Sequence, residues 1–118
     1  MCILLASTPP LTAQQVPQWR SWDAPELALA GTFATALWID AAQTRAFRAT
    51  GVGETNPLLG PHPSDAQVNR YTVAAWLMVL SASAALPHRW RRLLLVSAAT
   101  VEVIAVTHNT SLGFPVQF

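Results

Sequence analysis

The hydrophobic positions of this chain fall into three long stretches, separated by short polar or turn-rich segments. The stretches cover about residues 23–47, 65–86 and 89–112. A helix needs about 20 residues to cross the apolar core of a bilayer, whereas a soluble helical bundle needs a charged face on every helix. Residues 71–86 contain no charged side chain. The pattern therefore predicts an all-α integral membrane protein with three transmembrane helices, and a soluble three-helix bundle is the alternative.

The predicted helix ends carry start and stop signals. Asp23 and Glu26 have the spacing of a capping box, in which each side chain accepts a hydrogen bond from the backbone N–H of the other residue. Ser64 and Gln67 repeat this spacing before the second stretch, and Pro87 follows that stretch. Proline cannot continue a helix. We therefore expect helices to begin at these boxes and a sharp turn to join the second and third helices.

The composition agrees with a membrane protein. Hydrophobic residues make up 52% of the 118 residues and charged residues only 11%, against about 25% charged residues in soluble domains. All seven basic residues are arginines, they form no basic stripe, and the net charge is +1; this argues against a nucleic-acid partner. The single cysteine, Cys2, excludes an internal disulfide and a multi-cysteine zinc site.

The arginines predict an orientation. Arg89, Arg91 and Arg92 lie in the short turn between the second and third helices, and short arginine-rich loops stay in the cytoplasm. The N-terminal tail, residues 1–22, would then be cytoplasmic, and the loop 48–64 and the tail 113–118 would lie outside. We expect the inner membrane of a prokaryote, cytoplasmic or intracytoplasmic, with lipid as the surrounding partner.

One carboxylate interrupts the third stretch. Glu102 lies about 14 Å along the helix from Leu93, close to the bilayer midplane. An ionised carboxylate at that depth is costly, so we expect a neutral, structural Glu102. Its hydrogen-bond partner would be Thr35, Ser81 or the Trp76 indole, or a neighbouring subunit. A pigment contact and a proton relay are the functional alternatives.

A second polar set is predicted nearer the outer side. Asp40 and His108 lie at similar depth on the first and third helices, so a hydrogen bond between them is plausible, and Asn109 could join it. Gln43 and Thr44 share the helix face of Asp40. The result would be a polar clasp between the two helices. The alternative is a ligand role for His108, toward a metal or a chlorophyll-type pigment.

The loop between the first two helices is rich in glycine and proline, which predicts a compact structure. Asn56 with Pro57 is expected to open a short turn. Glu54 could cap that turn, or pair with Arg48 or Arg70.

A resemblance spans the end of the first helix and this loop. Residues 40–44, DAAQT, followed by residues 53–57, GETNP, resemble a pattern in small uncharacterised prokaryotic membrane proteins of about three helices. In that pattern an Asp and a Thr near the end of the first helix precede Gly, Glu and Asn-Pro in the loop. The resemblance implies a fold and no activity.

The sequence contains no nucleophile–base pair and no phosphate-binding loop, so we do not expect an enzyme. Residues 1–19 and 103–118 contain no Asp, Glu, Lys or Arg, and small residues such as Ala30 and Ala34 recur at a spacing that allows close helix packing. We expect an accessory subunit of a larger membrane complex, respiratory or photosynthetic, that contacts other subunits and, at some sites, pigment or lipid. The alternative is a small transporter or proton-conducting protein that uses Glu102 and Asp40. The sequence specifies no cofactor.

Overall fold

The computed structural model describes residues 17, 20–51, 53, 56–114 and 116, except for the side chains of residues 48 and 49. These residues form three α-helices: α1, Ala24–Thr50; α2, Asp65–Ala85; and α3, His88–Ser111. No strand occurs among the described residues. The prediction of an all-α protein with three helices is therefore confirmed.

Both predicted capping boxes are present. The Glu26 backbone N–H donates to Asp23 Oδ1 at 2.9 Å, and the Asp23 N–H donates to Glu26 Oε2 at 3.0 Å. Ser64 and Gln67 exchange the same two bonds at the start of α2. At its other end α1 continues three residues beyond the expected residue 47. The apolar pattern fades there, but the first glycine in a left-handed conformation, Gly51 with φ 73°, comes only after Thr50, and such a glycine is a common helix terminator.

The predicted short turn in the loop is also present. The Leu58 N–H donates to Asn56 Oδ1 at 3.0 Å, and the Leu59 and Gly60 N–H groups donate to the Asn56 carbonyl. Glu54 lies outside the described residues, as does the side chain of Arg48, so the expected Glu54 contacts stay a prediction.

Helices α1 and α3 run side by side in the same direction, and α2 runs antiparallel to both. Glu26 contacts Arg91 at one end of the pair, and the rings of Phe47 and Phe114 meet edge to face at the other end, with centroids 4.1 Å apart. The apolar core between the helices is small. Its members are Phe33, Leu37 and Ala99, with Ala75, Trp76, Val79 and Ala98 partly buried against them.

The distribution of side chains differs from that of a water-soluble domain, whose large apolar side chains are mostly inside. Here much of the buried volume is polar, and many large apolar residues point outward from all three helices. The buried polar side chains are Glu26, Gln43, Thr44, Thr72, Ser83, Arg91 and Asn109; the exposed large apolar ones include Leu27, Trp38, Val73, Leu77, Met78, Val96, Val101, Val103 and Ile104.

Among the described helices, α3 alone is long and apolar enough to cross a membrane by length and composition. Only 11% of its most apolar stretch is buried within the chain. α1 is long enough but less apolar than α3, because its second half contains Asp40, Gln43 and Arg45. The first turns of α2 are equally polar. The expectation of three spans therefore stays a prediction.

Candidate functional site in a polar cavity

A polar cavity of about 300 Å³ lies between the three helices. It brings together five residues that the sequence singled out from separate arguments, namely Asp40, Asn56, Glu102, His108 and Asn109. The rest of its lining is Tyr71, Val101 and Ala105.

Helix geometry accounts for this convergence. On α3, Glu102, Ala105 and Asn109 follow one another at spacings of three and four residues and therefore share one face. Tyr71 comes from the second turn of α2, and Asn56 comes from the loop that leads into it. Sequence reasoning placed Glu102 and Asp40 in separate sites, because residue spacing predicts depth along each helix but not the rotation of the helix about its axis.

The predicted clasp between α1 and α3 exists, but its partner residue differs. Asn109 Nδ2 donates to Asp40 Oδ1 at 2.8 Å, and Asn109 is buried. His108 is exposed, and no hydrogen bond joins its ring to Asp40 among the described residues. Consecutive residues of a helix point about 100° apart. The predicted depth of the partner of Asp40 on α3 was therefore correct to within one residue. However, Asn109 and not His108 faces α1.

A second link between the same helices lies next to the clasp. Gln43 is buried, and its Nε2 donates to Thr110 Oγ1 at 3.0 Å and, more weakly, to the Val106 carbonyl at 3.5 Å. Thr44 is buried beside it. Both residues are predicted on the helix face of Asp40, and Gln43 makes the contact that crosses to α3.

Glu102 is half-buried at the cavity wall, and its carboxylate accepts no hydrogen bond from the described part of the chain. The expected partners within the bundle do not reach it. Thr35 lines a separate groove with Val103 and Val106, on another face of α3. Ser81 is exposed, and Trp76 packs against the apolar core. The prediction that Glu102 bonds to Thr35, Ser81 or Trp76 is therefore wrong. A hydrogen bond from Glu102 to a neighbouring subunit stays a prediction.

A polar cluster that sequence reasoning missed joins the three helices at their other end. Glu26 and Arg91 are both fully buried, with Arg91 Nη1 2.9 Å from Glu26 Oε2. Arg91 also donates to three backbone carbonyls: Ser83 at 2.8 Å, Ser21 at 2.7 Å and Leu86 at 3.0 Å. The guanidinium therefore fixes the α2–α3 turn and the start of α1 to one point.

Four more side chains complete this cluster, those of Trp22, Asp23, His88 and Arg92. His88 Nδ1 lies 2.7 Å from Glu26 Oε1, and Arg92 forms an ion pair with Asp23. Arg91 stacks over the Trp22 ring, 4.8 Å from its centroid. The sequence contained a signal for this cluster, since a buried capping-box carboxylate needs a cation and three arginines occupy one short turn. Their number in a short segment predicts topology, but it does not show that Arg91 pairs with Glu26.

The hydrogen bonds of the cluster favour the charged carboxylates. Glu26 is fully buried, and the Asp23 N–H, His88 and Arg91 all contact its carboxylate and compensate its charge. At the N-cap, the bond from the Glu26 N–H and the Arg92 guanidinium lower the pKa of Asp23 below its ordinary value.

Asp23, Glu26 and His88 bring potential metal-ligand atoms within 4.8 Å of one another. However, the two arginines already balance the two carboxylates and occupy their oxygens. The arrangement is suited to locking the helix ends together, and it offers little net charge to attract a metal ion.

Comparisons with protein-family models, with curated proteins and with solved structures found no match to this chain. The resemblance of residues 40–57 to small prokaryotic membrane proteins therefore stays a prediction.

Proposed function

We propose that this chain is an integral membrane protein of three transmembrane helices that serves as a non-catalytic accessory subunit of a larger membrane complex, of the respiratory or photosynthetic kind. One observation carries the proposal: large apolar side chains point outward from all three helices, while several polar and charged side chains, including Glu26, Gln43 and Arg91, are buried inside. In lipid this distribution is favourable, because the bilayer accepts the apolar surface and polar groups must find partners inside the protein.

The mean hydropathy of α1 and α2 is lowered by polar residues that point into the protein and not toward lipid. On α1, Gln43 and Thr44 are buried and Asp40 bonds to α3, so they contribute little polar surface toward lipid. α2 has 21 residues, which correspond to about 31 Å of helix, close to the thickness of a bilayer core. Its outward face carries Val73, Leu77 and Met78.

The orientation we propose has the N-terminus inside and the C-terminus outside. The start of α3, where Arg89 is exposed and Arg91 and Arg92 are engaged with α1, lies at the membrane surface on the cytoplasmic side. Asp23 and Glu26 lie at the same end, but acidic residues have little influence on orientation. Cysteine labelling in a Cys2→Ser background tests this. Arg89→Cys should react only from the cytoplasmic side and His62→Cys only from the outside; the reverse pattern would refute the orientation.

A groove between α1 and α3 supports the subunit role. It has a volume of about 500 Å³ and a mostly apolar lining of small and branched residues: Gly31, Thr32, Thr35, Ala36, Ile39, Val103 and Val106. Small residues let helices approach closely in lipid, where van der Waals packing is a main source of helix association. A helix of a neighbouring subunit would fill this groove.

The decisive experiment is purification of the tagged chain from its own membranes in a mild detergent. The wild-type chain should co-purify with other membrane subunits in fixed proportion. Gly31→Leu should release it, because a Cβ added at residue 31 meets no other group within 4 Å and the leucine would extend into the groove. Ala82→Leu, on the exposed surface of α2, is the matched control and should leave assembly intact. Recovery of the wild-type chain alone would refute the subunit role.

A second candidate function is proton or ion transfer through Glu102 and Asp40, and it is favoured by their position on one cavity. Reconstitution in vesicles tests it. A proton or ion flux that Glu102→Gln abolishes in a fully folded variant would support transfer, and the absence of flux through the wild-type chain would exclude it.

A further inference from the structure

We infer that the polar cavity binds a small organic cation, an amine that carries at least one ammonium group. The inference uses the same cavity as the second candidate function but requires binding only, without transfer across the membrane. It also does not depend on the accessory role, whose groove lies on another face of α3.

The charge of the lining selects a cation. Asp40 and Glu102 contribute carboxylates from α1 and α3, and no arginine is among the described residues that line the cavity. Asp40 is engaged with Asn109, while Glu102 accepts no hydrogen bond from the described residues. Removing carboxylates from water is costly unless a positive charge or hydrogen-bond donors compensate. An ammonium group supplies both.

The geometry selects a molecule over a metal ion. Among the described residues, only Asp23, Glu26 and His88 bring three potential metal-ligand atoms within 4.8 Å of one another. The Asp, Glu and His side chains of the cavity do not converge in this way, so a single ion would not reach all of them. A cavity of about 300 Å³ corresponds to the lower end of the range for small-molecule sites.

The remaining lining suits an amine with a short carbon chain. Tyr71 offers an aromatic ring, on whose face an ammonium group is attracted by the π-electrons. Val101 and Ala105 offer apolar contacts for methylene groups, and Asn56, whose Oδ1 accepts from the Leu58 N–H, adds a polar side chain to the lining. The site therefore combines carboxylates, a ring and a short apolar wall.

Isothermal titration of the purified full-length chain in detergent micelles tests this inference, with 1,4-diaminobutane and n-butylammonium as probes and 1,4-butanediol as the neutral control. We expect saturable binding of at least one amine below about 10 mM and none of the diol. A hydrogen bond to a charged group contributes at least about 1.4 kcal/mol, which corresponds to a tenfold change in affinity. Glu102→Gln and Asp40→Asn should therefore each weaken amine binding about tenfold or more. Asp65→Asn removes a carboxylate outside the cavity and should leave affinity unchanged.

Three outcomes would overturn the inference: no saturable amine binding to the wild-type chain, equal binding of the diol, or equal weakening by Glu102→Gln and Asp65→Asn. The comparison of amine with diol needs no variant, so it stands even where a substitution impairs folding. Amine binding without flux in vesicles would retain this inference and exclude transfer; flux without amine binding would do the reverse.

Discussion

The buried pair of Glu26 and Arg91 gives the sharpest prediction about stability. Removing one member of a buried ion pair leaves the other charge without compensation and typically costs about 3–5 kcal/mol. Arg91→Met should cost at least that much, because it also takes the donors from the Ser83, Ser21 and Leu86 carbonyls. The variant should therefore lose a large share of the total stability of the chain.

The other member of the pair should be less sensitive when the replacement keeps an acceptor. Glu26→Gln retains an oxygen for the Asp23 N–H and for Arg91, so we expect a cost of about 1–3 kcal/mol. Combining Glu26→Leu with Arg91→Met removes both charges, so the double variant should cost less than the sum of its single substitutions.

The matched control is Arg89→Met, on the same turn. Arg89 is exposed and stacks 5.5 Å from the centroid of the Trp90 ring, an interaction worth about 0.5–1 kcal/mol at an exposed site. Unfolding of each variant in mixed micelles of increasing denaturing-detergent content, followed by circular dichroism, gives the ranking. If Arg91→Met and Arg89→Met unfolded within about 0.5 kcal/mol of each other, the cluster would not hold the helix ends together.

Three further predictions concern pH and the cavity. Because the pKa of Asp23 lies below its ordinary 3.8, the unfolded chain binds more protons as the pH falls; thermal stability should hold above about pH 5 and decrease below it, and Asp23→Asn should flatten that decrease. Asp40→Asn should be about 1 kcal/mol more stable than Asp40→Leu, because the amide still accepts from Asn109; equal melting temperatures would contradict the clasp. Glu102→Gln and Glu102→Leu should unfold within about 0.5 kcal/mol of the wild-type chain, as surface substitutions without a lost bond do, whereas a loss above about 1.5 kcal/mol would reveal a bond that stabilises the fold.

The features that sequence reasoning predicted well are local ones. The capping boxes and the Asn56 turn involve residues two to four positions apart, and their geometry follows from the backbone itself. The end of α1 was missed by three residues because Arg48 to Thr50 are compatible with a helix, and only Gly51 stops it.

The features that it missed depend on how each helix is rotated about its axis and on contacts between distant residues. Depth along a helix placed His108 beside Asp40, but the 100° step between neighbours gave that position to Asn109. The pair of Glu26 and Arg91 spans 65 positions. A charge count assigned Arg91 to the cytoplasmic surface, whereas the fold buries it against Glu26.

The polar links between α1 and α3 also explain why these two helices lie side by side. Lipid is as apolar as a leucine side chain, so apolar packing alone selects poorly among helix neighbours in a membrane. The links between this pair in the described part of the chain include Glu26 to Arg91, Asp40 to Asn109, and Gln43 to Thr110. They match residues 65 to 69 positions apart, which sets a single parallel register along both helices. Glu102 lies on α3 between these links, yet no hydrogen bond from the described residues ties it to the bundle. Its carboxylate therefore receives no bond from the helix pairing, and a cationic occupant of the cavity would supply one.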